Sequence, residues 1–184
     1  MKHVLALLLA LVGVTACASR PPTDTSAAYS AAQASLQSVV LSPGQEADAV
    51  QRFKNFYKDV TASSVNDQIA GLYADDVWFN DSLKTLHGRA AVRDYFLKTL
   101  DHLDVFQTRV EDVARSGSNY YVRWTMDVRF KGSSETIRTI GISHLCFDRS
   151  GRVILHQDFW DSTSGFFQHL PVIGGAVRWV KSLL

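Results

Sequence analysis

The chain has 184 residues, enough for one domain with appendages, and at 46% hydrophobic and 11% aromatic residues it can bury a sizeable core. Nineteen Lys and Arg against eighteen Asp and Glu leave a formal net charge of +1, which argues against the basic face that nucleic acid requires. It contains no P-loop, no GxGxxG after a strand, no CxxC pair and no HExxH, so no cofactor, metal or nucleic acid is expected.

Residues 1–16 read as a secretory signal. Lys2 and His3 precede an apolar run from Val4 to Val14 that is too short to span a bilayer as a stable anchor. Val14-Thr15-Ala16-Cys17 then resembles the lipobox of bacterial lipoproteins. That resemblance implies cleavage before Cys17, lipidation of Cys17 and a membrane-anchored protein of the cell envelope. Ala18, in place of Asp, resembles the pattern that sorts to the periplasmic face of the outer membrane rather than the inner one. The plainer reading is an ordinary signal cleaved nearby, with Cys17 a stray residue. The second cysteine, Cys146, sits between Leu145 and Phe147 in a strand pattern and reads as an inert buried thiol, so no disulfide is expected.

Residues 17–42 have the Ala, Ser, Thr and Pro content of a flexible tether, with Arg20-Pro21-Pro22 near its start and a partly helical stretch near Ala27 to Leu36. The domain spans 43–162. Ser42-Pro43-Gly44-Gln45 has the Ser and the Gln three residues on that open a helix, and Val50, Phe53, Phe56, Tyr57 and Val60 follow at helical spacing. Ser64 is expected to cap a second helix carrying Ile69, Leu72 and Tyr73, which Asp75 and Asp76 break. A short strand, Val77–Asp81, puts Val77, Phe79 and Asp81 on one face. His87-Gly88-Arg89 opens a third helix, with Val92, Tyr95, Phe96, Leu97 and Leu100 on its apolar side.

Four alternating stretches follow: Val105–Arg115, Tyr120–Lys131, Glu135–Phe147 and Val153–Trp160. Helices followed by a long meander give an α+β fold, three helices packed on a curved antiparallel sheet. The order of elements, with Leu72-Tyr73-Ala74-Asp75-Asp76 before the short strand and Gly88-Arg89-Ala90-Ala91-Val92 opening the third helix, resembles the nuclear transport factor 2-like superfamily over about residues 45–162. This cone-shaped fold includes SnoaL-like cyclases and ketosteroid isomerases. The resemblance implies Tyr57 as the isomerases' oxyanion donor and Asp81 as their general base. Ser143 stands where they keep a neutral aspartic acid that donates a hydrogen bond. His156 and Asp158 fall where cyclases and limonene epoxide hydrolases carry an acid.

Strand parity supplies the rest of the candidate site. Trp124, Met126 and Val128 share one face, while Arg123, Asp127 and Arg129 share the other. With Phe79, Ser143, Leu145 and Trp160, these apolar positions line an expected pocket around the candidate catalytic residues Asp81, Tyr57, His156 and Asp158. The plainer readings are a strand-end Asp that serves a turn, a core Tyr with its hydroxyl satisfied, and a His–Asp pair that only orients the sheet. Epoxide hydrolysis is disfavoured, because Arg129 and Asp127 point away from the pocket.

Residues 163–184 carry an amphipathic helical pattern, with Phe166, Leu170, Ile173, Val177, Val180 and Leu184 on one stripe, broadened by Val172, Ala176, Trp179 and Leu183. It docks on its own domain or closes the cavity mouth, the reading favoured because Cys17 already supplies an anchor, or it lies on the membrane surface. Three functions remain in play: a lipoprotein that binds a small hydrophobic ligand, an isomerase or cyclase, and a scaffold that forms a homodimer through the sheet face of Arg123, Asp127 and Arg129.

Overall fold

The computed structural model describes residues 24–169 and 173–183. The expected signal peptide, Cys17, Arg20-Pro21-Pro22, Leu170, Pro171, Val172 and Leu184 lie outside the described residues. The chain divides into two units, 1–34 and 35–184. The first carries most of helix α1 (Thr25–Ser35), within the stretch expected to be partly helical. Asp24 Oδ1 accepts the Ala27 N–H at 3.0 Å and opens it.

In the second unit, α2 (Pro43–Lys58) starts as its sequence requires. The Gln45 side-chain carbonyl reaches back to accept the Ser42 N–H at 3.2 Å, and Pro43 occupies the first turn, where a missing donor costs nothing. Ala49, Phe53, Phe56 and Tyr57 form its buried stripe. Helix α3 (Ala62–Leu72) is capped by Thr61 rather than Ser64. Thr61 Oγ1 accepts the Ser64 N–H at 3.1 Å, and Ser64 Oγ accepts the Thr61 N–H at 2.9 Å, so Ser64 is the reciprocal half of the cap.

Strand β1 (Tyr73–Asn80) begins at Tyr73, four residues before the expected Val77. The backbone turns extended at Tyr73 while its N–H still donates to the Ile69 carbonyl, so helix passes to strand without a loop. Asp75 and Asp76 do not break the helix. They sit in an irregular, exposed stretch of β1, between the registers set by Tyr73 and Trp78. A three-residue strand not anticipated from sequence, β2 (Thr85–His87), pairs antiparallel with β1. Gly88 then opens α4 (Arg89–Leu100) at φ 83°, a conformation that favours glycine, with its N–H on the Val77 carbonyl at 2.8 Å. An Arg89–Asp75 ion pair ties this helix start to β1.

Strands β3 (Leu103–Ser116), β4 (Asn119–Phe130), β5 (Ile137–Phe147) and β6 (Val153–Trp160) form the expected antiparallel meander. β1 joins β6 in parallel, giving a curved, unclosed six-stranded sheet in the order β2-β1-β6-β5-β4-β3. Irregularities in β3 at Leu103/Val105 and Val110/Asp112 mark where its register with β4 shifts. Helices α2, α3 and α4 pack on one face of the sheet. There Phe53, Phe56, Tyr73, Phe79, Phe96 and Tyr120 form the packed core. Cys146 is a buried free thiol whose burial pushes its pKa up to about 11, so it stays protonated and unreactive.

The C-terminal segment is not one helix. It runs as a single turn, α5 (Ser162–Gly165), a 3₁₀ turn over Phe167–His169 and helix α6 (Ile173–Ser182). Among the described residues no helix is long and apolar enough to cross a membrane.

Candidate functional site

Between the helices and the bent sheet lies a cavity of about 640 Å³. Strand parity builds its walls. Trp124, Met126, Val128 and Phe130 point inward from β4, His156, Asp158 and Trp160 from β6, and α2 adds Phe53 and Tyr57. The opposite parity faces away, and there Arg138 grips both oxygens of Asp127 at 2.7 Å. Asp127 and Arg129 are therefore not a hydrolase pair of this cavity. Gly141 gives the two indoles room: a methyl group there would collide with the Trp124 ring and with Trp160 Cβ. Gly165, Phe166 and Phe167 bring the C-terminal segment to the cavity wall, and Leu83 and Lys84 line it from the β1–β2 turn.

One wall is polar. Tyr57 Oη stands 2.6 Å from Tyr73 Oη, which stands 2.7 Å from His156 Nδ1, and His156 Nε2 is 2.7 Å from Asp158 Oδ1. The same Asp158 oxygen accepts the Ser143 hydroxyl at 2.5 Å, and Ser143 Oγ accepts the Trp124 indole N–H at 2.9 Å. Six side chains from α2, β1, β4, β5 and β6 thus form one unbroken hydrogen-bonded chain. His156 is 1% exposed and packs against Phe79 at 4.9 Å and Phe53 at 5.7 Å. Burial, before any charge effect, raises the pKa of both Tyr57 and Tyr73, so both phenols stay protonated.

Asp81 lies just past the end of β1 and faces the cavity. Its Oδ1 accepts the Leu83 and Lys84 N–H groups at 2.9 and 2.8 Å, a turn-forming role, and its Oδ2 accepts the Tyr95 hydroxyl at 2.5 Å. Burial raises its pKa, outweighing the opposing pull of Tyr95 and of the Lys84 amide, with Asp158 adding a smaller upward push. The neighbouring Ser82 holds φ 69°, kept there by its N–H on Asn80 Oδ1 (2.8 Å) and its hydroxyl on the Asp158 carbonyl (2.7 Å). Trp160 Nε1 donates to the Asp81 carbonyl at 2.7 Å.

The cavity brings together Tyr57, Phe79, Asp81, Trp124, Met126, Val128, Ser143, His156, Asp158 and Trp160. Leu145 is the exception. Its parity matches Ser143, but it sits opposite Tyr120 in the packed core, 1% exposed and away from the cavity. Sequence reasoning missed Tyr73 and Tyr95 as members of the site. The available signal was a phenol on an otherwise apolar stripe, whose hydroxyl must find a partner once buried. Among the described residues no group of three or more His, Cys, Asp or Glu is arranged to hold a metal.

A family model for the SnoaL-like domain matches residues 53–156. The chain belongs to this family. Solved structures repeat the SnoaL-like fold at low identity. A protein with a ketosteroid isomerase-like fold from Catenulispora acidiphila, in complex with trimethylamine, is 16% identical, with a TM-score of 0.55 over 64% of this chain and 88% of that one. An LEH-like epoxide hydrolase from M. tuberculosis is 16% identical, with a TM-score of 0.55 over 76% and 95% of the two chains. An NTF2-like protein of unknown function from Burkholderia pseudomallei is 17% identical, with a TM-score of 0.54 over 64% and 92%. No curated protein matches the chain. Identities this low carry the SnoaL-like fold and not an activity.

Proposed function

We propose that this SnoaL-like protein is a lipoprotein of the cell envelope, anchored through Cys17, that holds a small, largely apolar molecule in its cavity. The observation that carries the reading is the cavity of about 640 Å³ with apolar walls from β4 and one polar wall, the form small-molecule sites take. The anchor rests on the Val14-Thr15-Ala16-Cys17 pattern. Exposed Trp179 on α6 and Leu183 just past its end favour contact with the membrane surface over burial against the domain. The proposal includes a second copy of the chain on the outer sheet face, where Ile140 and Ile142 are exposed beside the Asp127–Arg138 ion pair.

Uptake of N-phenyl-1-naphthylamine, read by its fluorescence, tests the cavity. Wild type should enhance the signal at micromolar concentration, and Val128→Trp, which fills the cavity, should not. Equal enhancement by both proteins contradicts the assignment.

A second reading, an isomerase or cyclase with Asp81 as base and Tyr57 as oxyanion donor, is favoured by one observation: burial raises the Asp81 pKa toward a working base. It ranks second because Asp81 already accepts three hydrogen bonds, and because Ser143 spends its hydroxyl on Asp158 rather than on the cavity.

A further inference from the structure

The polar wall has a direction. Asp158 Oδ1 accepts the Ser143 hydroxyl, and as a carboxylate it has no proton to give to His156. His156 Nε2 must therefore carry the hydrogen, because a bare Nε2 would set two lone pairs 2.7 Å apart. With Nε2 protonated, the neutral imidazole has a bare Nδ1, which can only accept, so the Tyr73 hydroxyl donates to it. The Tyr73 oxygen is then the acceptor in the 2.6 Å contact with Tyr57, and the Tyr57 proton points at Tyr73 instead of into the cavity. What Tyr57 shows to a ligand is a lone pair.

We infer that the Tyr57 subsite is an acceptor, selecting ligands that bring a hydroxyl or N–H, and that an acceptor-only ligand such as a ketone is held there only together with one proton taken up by the Tyr57–Tyr73–His156 chain. The proton goes onto His156 Nδ1, giving an imidazolium beside the Asp158 carboxylate. Tyr73 then rotates its hydroxyl to donate to Tyr57, and Tyr57 rotates its own into the cavity. No covalent bond other than the new N–H forms or breaks. The titratable groups around His156 are Asp158 on its own strand, the phenols of Tyr57 and Tyr73, Asp81 after β1 on the same cavity, and His144 of β5. Asp158 accepts from Nε2 in either state of the ring, and His144, with its pKa lowered by burial and then by His156, stays neutral. The inference rests on the ligand-binding reading above and names the chemistry of its ligand.

Isothermal titration calorimetry of the full chain carrying Cys17→Ser, in two buffers of different ionisation enthalpy, tests it with 2-naphthol and 2-acetonaphthone. At pH 7.5 the ketone should bind with uptake of about one proton and tighten on acidification, about tenfold per pH unit while that uptake holds, whereas 2-naphthol should bind with no uptake. Tyr73→Phe frees the Tyr57 proton, so ketone affinity at pH 7.5 should rise and lose its pH dependence. Should that variant fail to fold, Tyr57→Phe must also abolish the proton uptake. Ketone binding by wild type without proton uptake, or uptake that persists in Tyr57→Phe, overturns the inference. Failure of both probes to bind contradicts the cavity reading itself.

Discussion

Tyr73 joins the end of α3 to the polar wall of the cavity from behind: its hydroxyl lies 2.7 Å from His156 Nδ1, while its backbone N–H still belongs to the helix. Fold and site therefore share a residue. Tyr73→Phe removes one hydroxyl from the buried end of the hydrogen-bonded chain and leaves a bare imidazole nitrogen and the Tyr57 hydroxyl without their partner. Unpaired buried groups of this kind cost about 1–3 kcal/mol. Chemical denaturation should show that loss; a change within about 0.5 kcal/mol would mean the chain contributes nothing to stability.

Gly141 should tolerate no side chain. An alanine methyl would meet the Trp124 ring and Trp160 Cβ, both on the cavity wall. Gly141→Ala should cost about 1–3 kcal/mol by overpacking and shift the Trp124 indole off Ser143. Trp fluorescence and the denaturation midpoint report the two effects separately.

The inward stripe of β4 and the His156, Asp158, Trp160 set were legible because a strand alternates with period 2, and parity alone decides the face. Parity does not report depth, which is why Leu145 read as lining although it packs on Tyr120 in the solid core. Tyr95 and Asp81 meet through folding of α4 onto the β1–β2 turn, and nothing local in either segment announces a 2.5 Å contact between them. Tyr73 was visible as a buried aromatic at a helix end. Its place in the chain depends on β6 lying parallel beside β1, a long-range pairing that periodicity cannot show.

Asp81 should impose a pH dependence on stability. Burial raises its folded pKa above the ordinary value, so the folded state binds the proton more tightly than the unfolded state. Its contribution is then complete below the ordinary carboxylate pKa of about 3.9 and is lost as pH rises through the raised folded value. Relative to Asp81→Asn, wild type should gain stability on acidification through that window. Parallel stability profiles for the two proteins would refute the sign.

The same variant separates the two functional readings. Under ligand binding, Asp81→Asn should leave N-phenyl-1-naphthylamine uptake within about threefold of wild type, a change under about 0.7 kcal/mol. Under catalysis it should abolish turnover of whatever substrate the wild-type protein converts.

Replacing Cys17 by Ser should move the protein from the membrane to the soluble fraction if the lipid anchor holds. An unchanged distribution between wild type and Cys17→Ser would remove the lipoprotein assignment and leave the cavity untouched.

The most direct test of the central claim is mass spectrometry of the small molecules that co-purify with the detergent-extracted protein, run beside Val128→Trp. A cavity that serves a ligand predicts a small, largely apolar molecule with a hydroxyl or N–H, retained by wild type and absent from the filled variant. The same content in both proteins, or none beyond detergent in either, would contradict it.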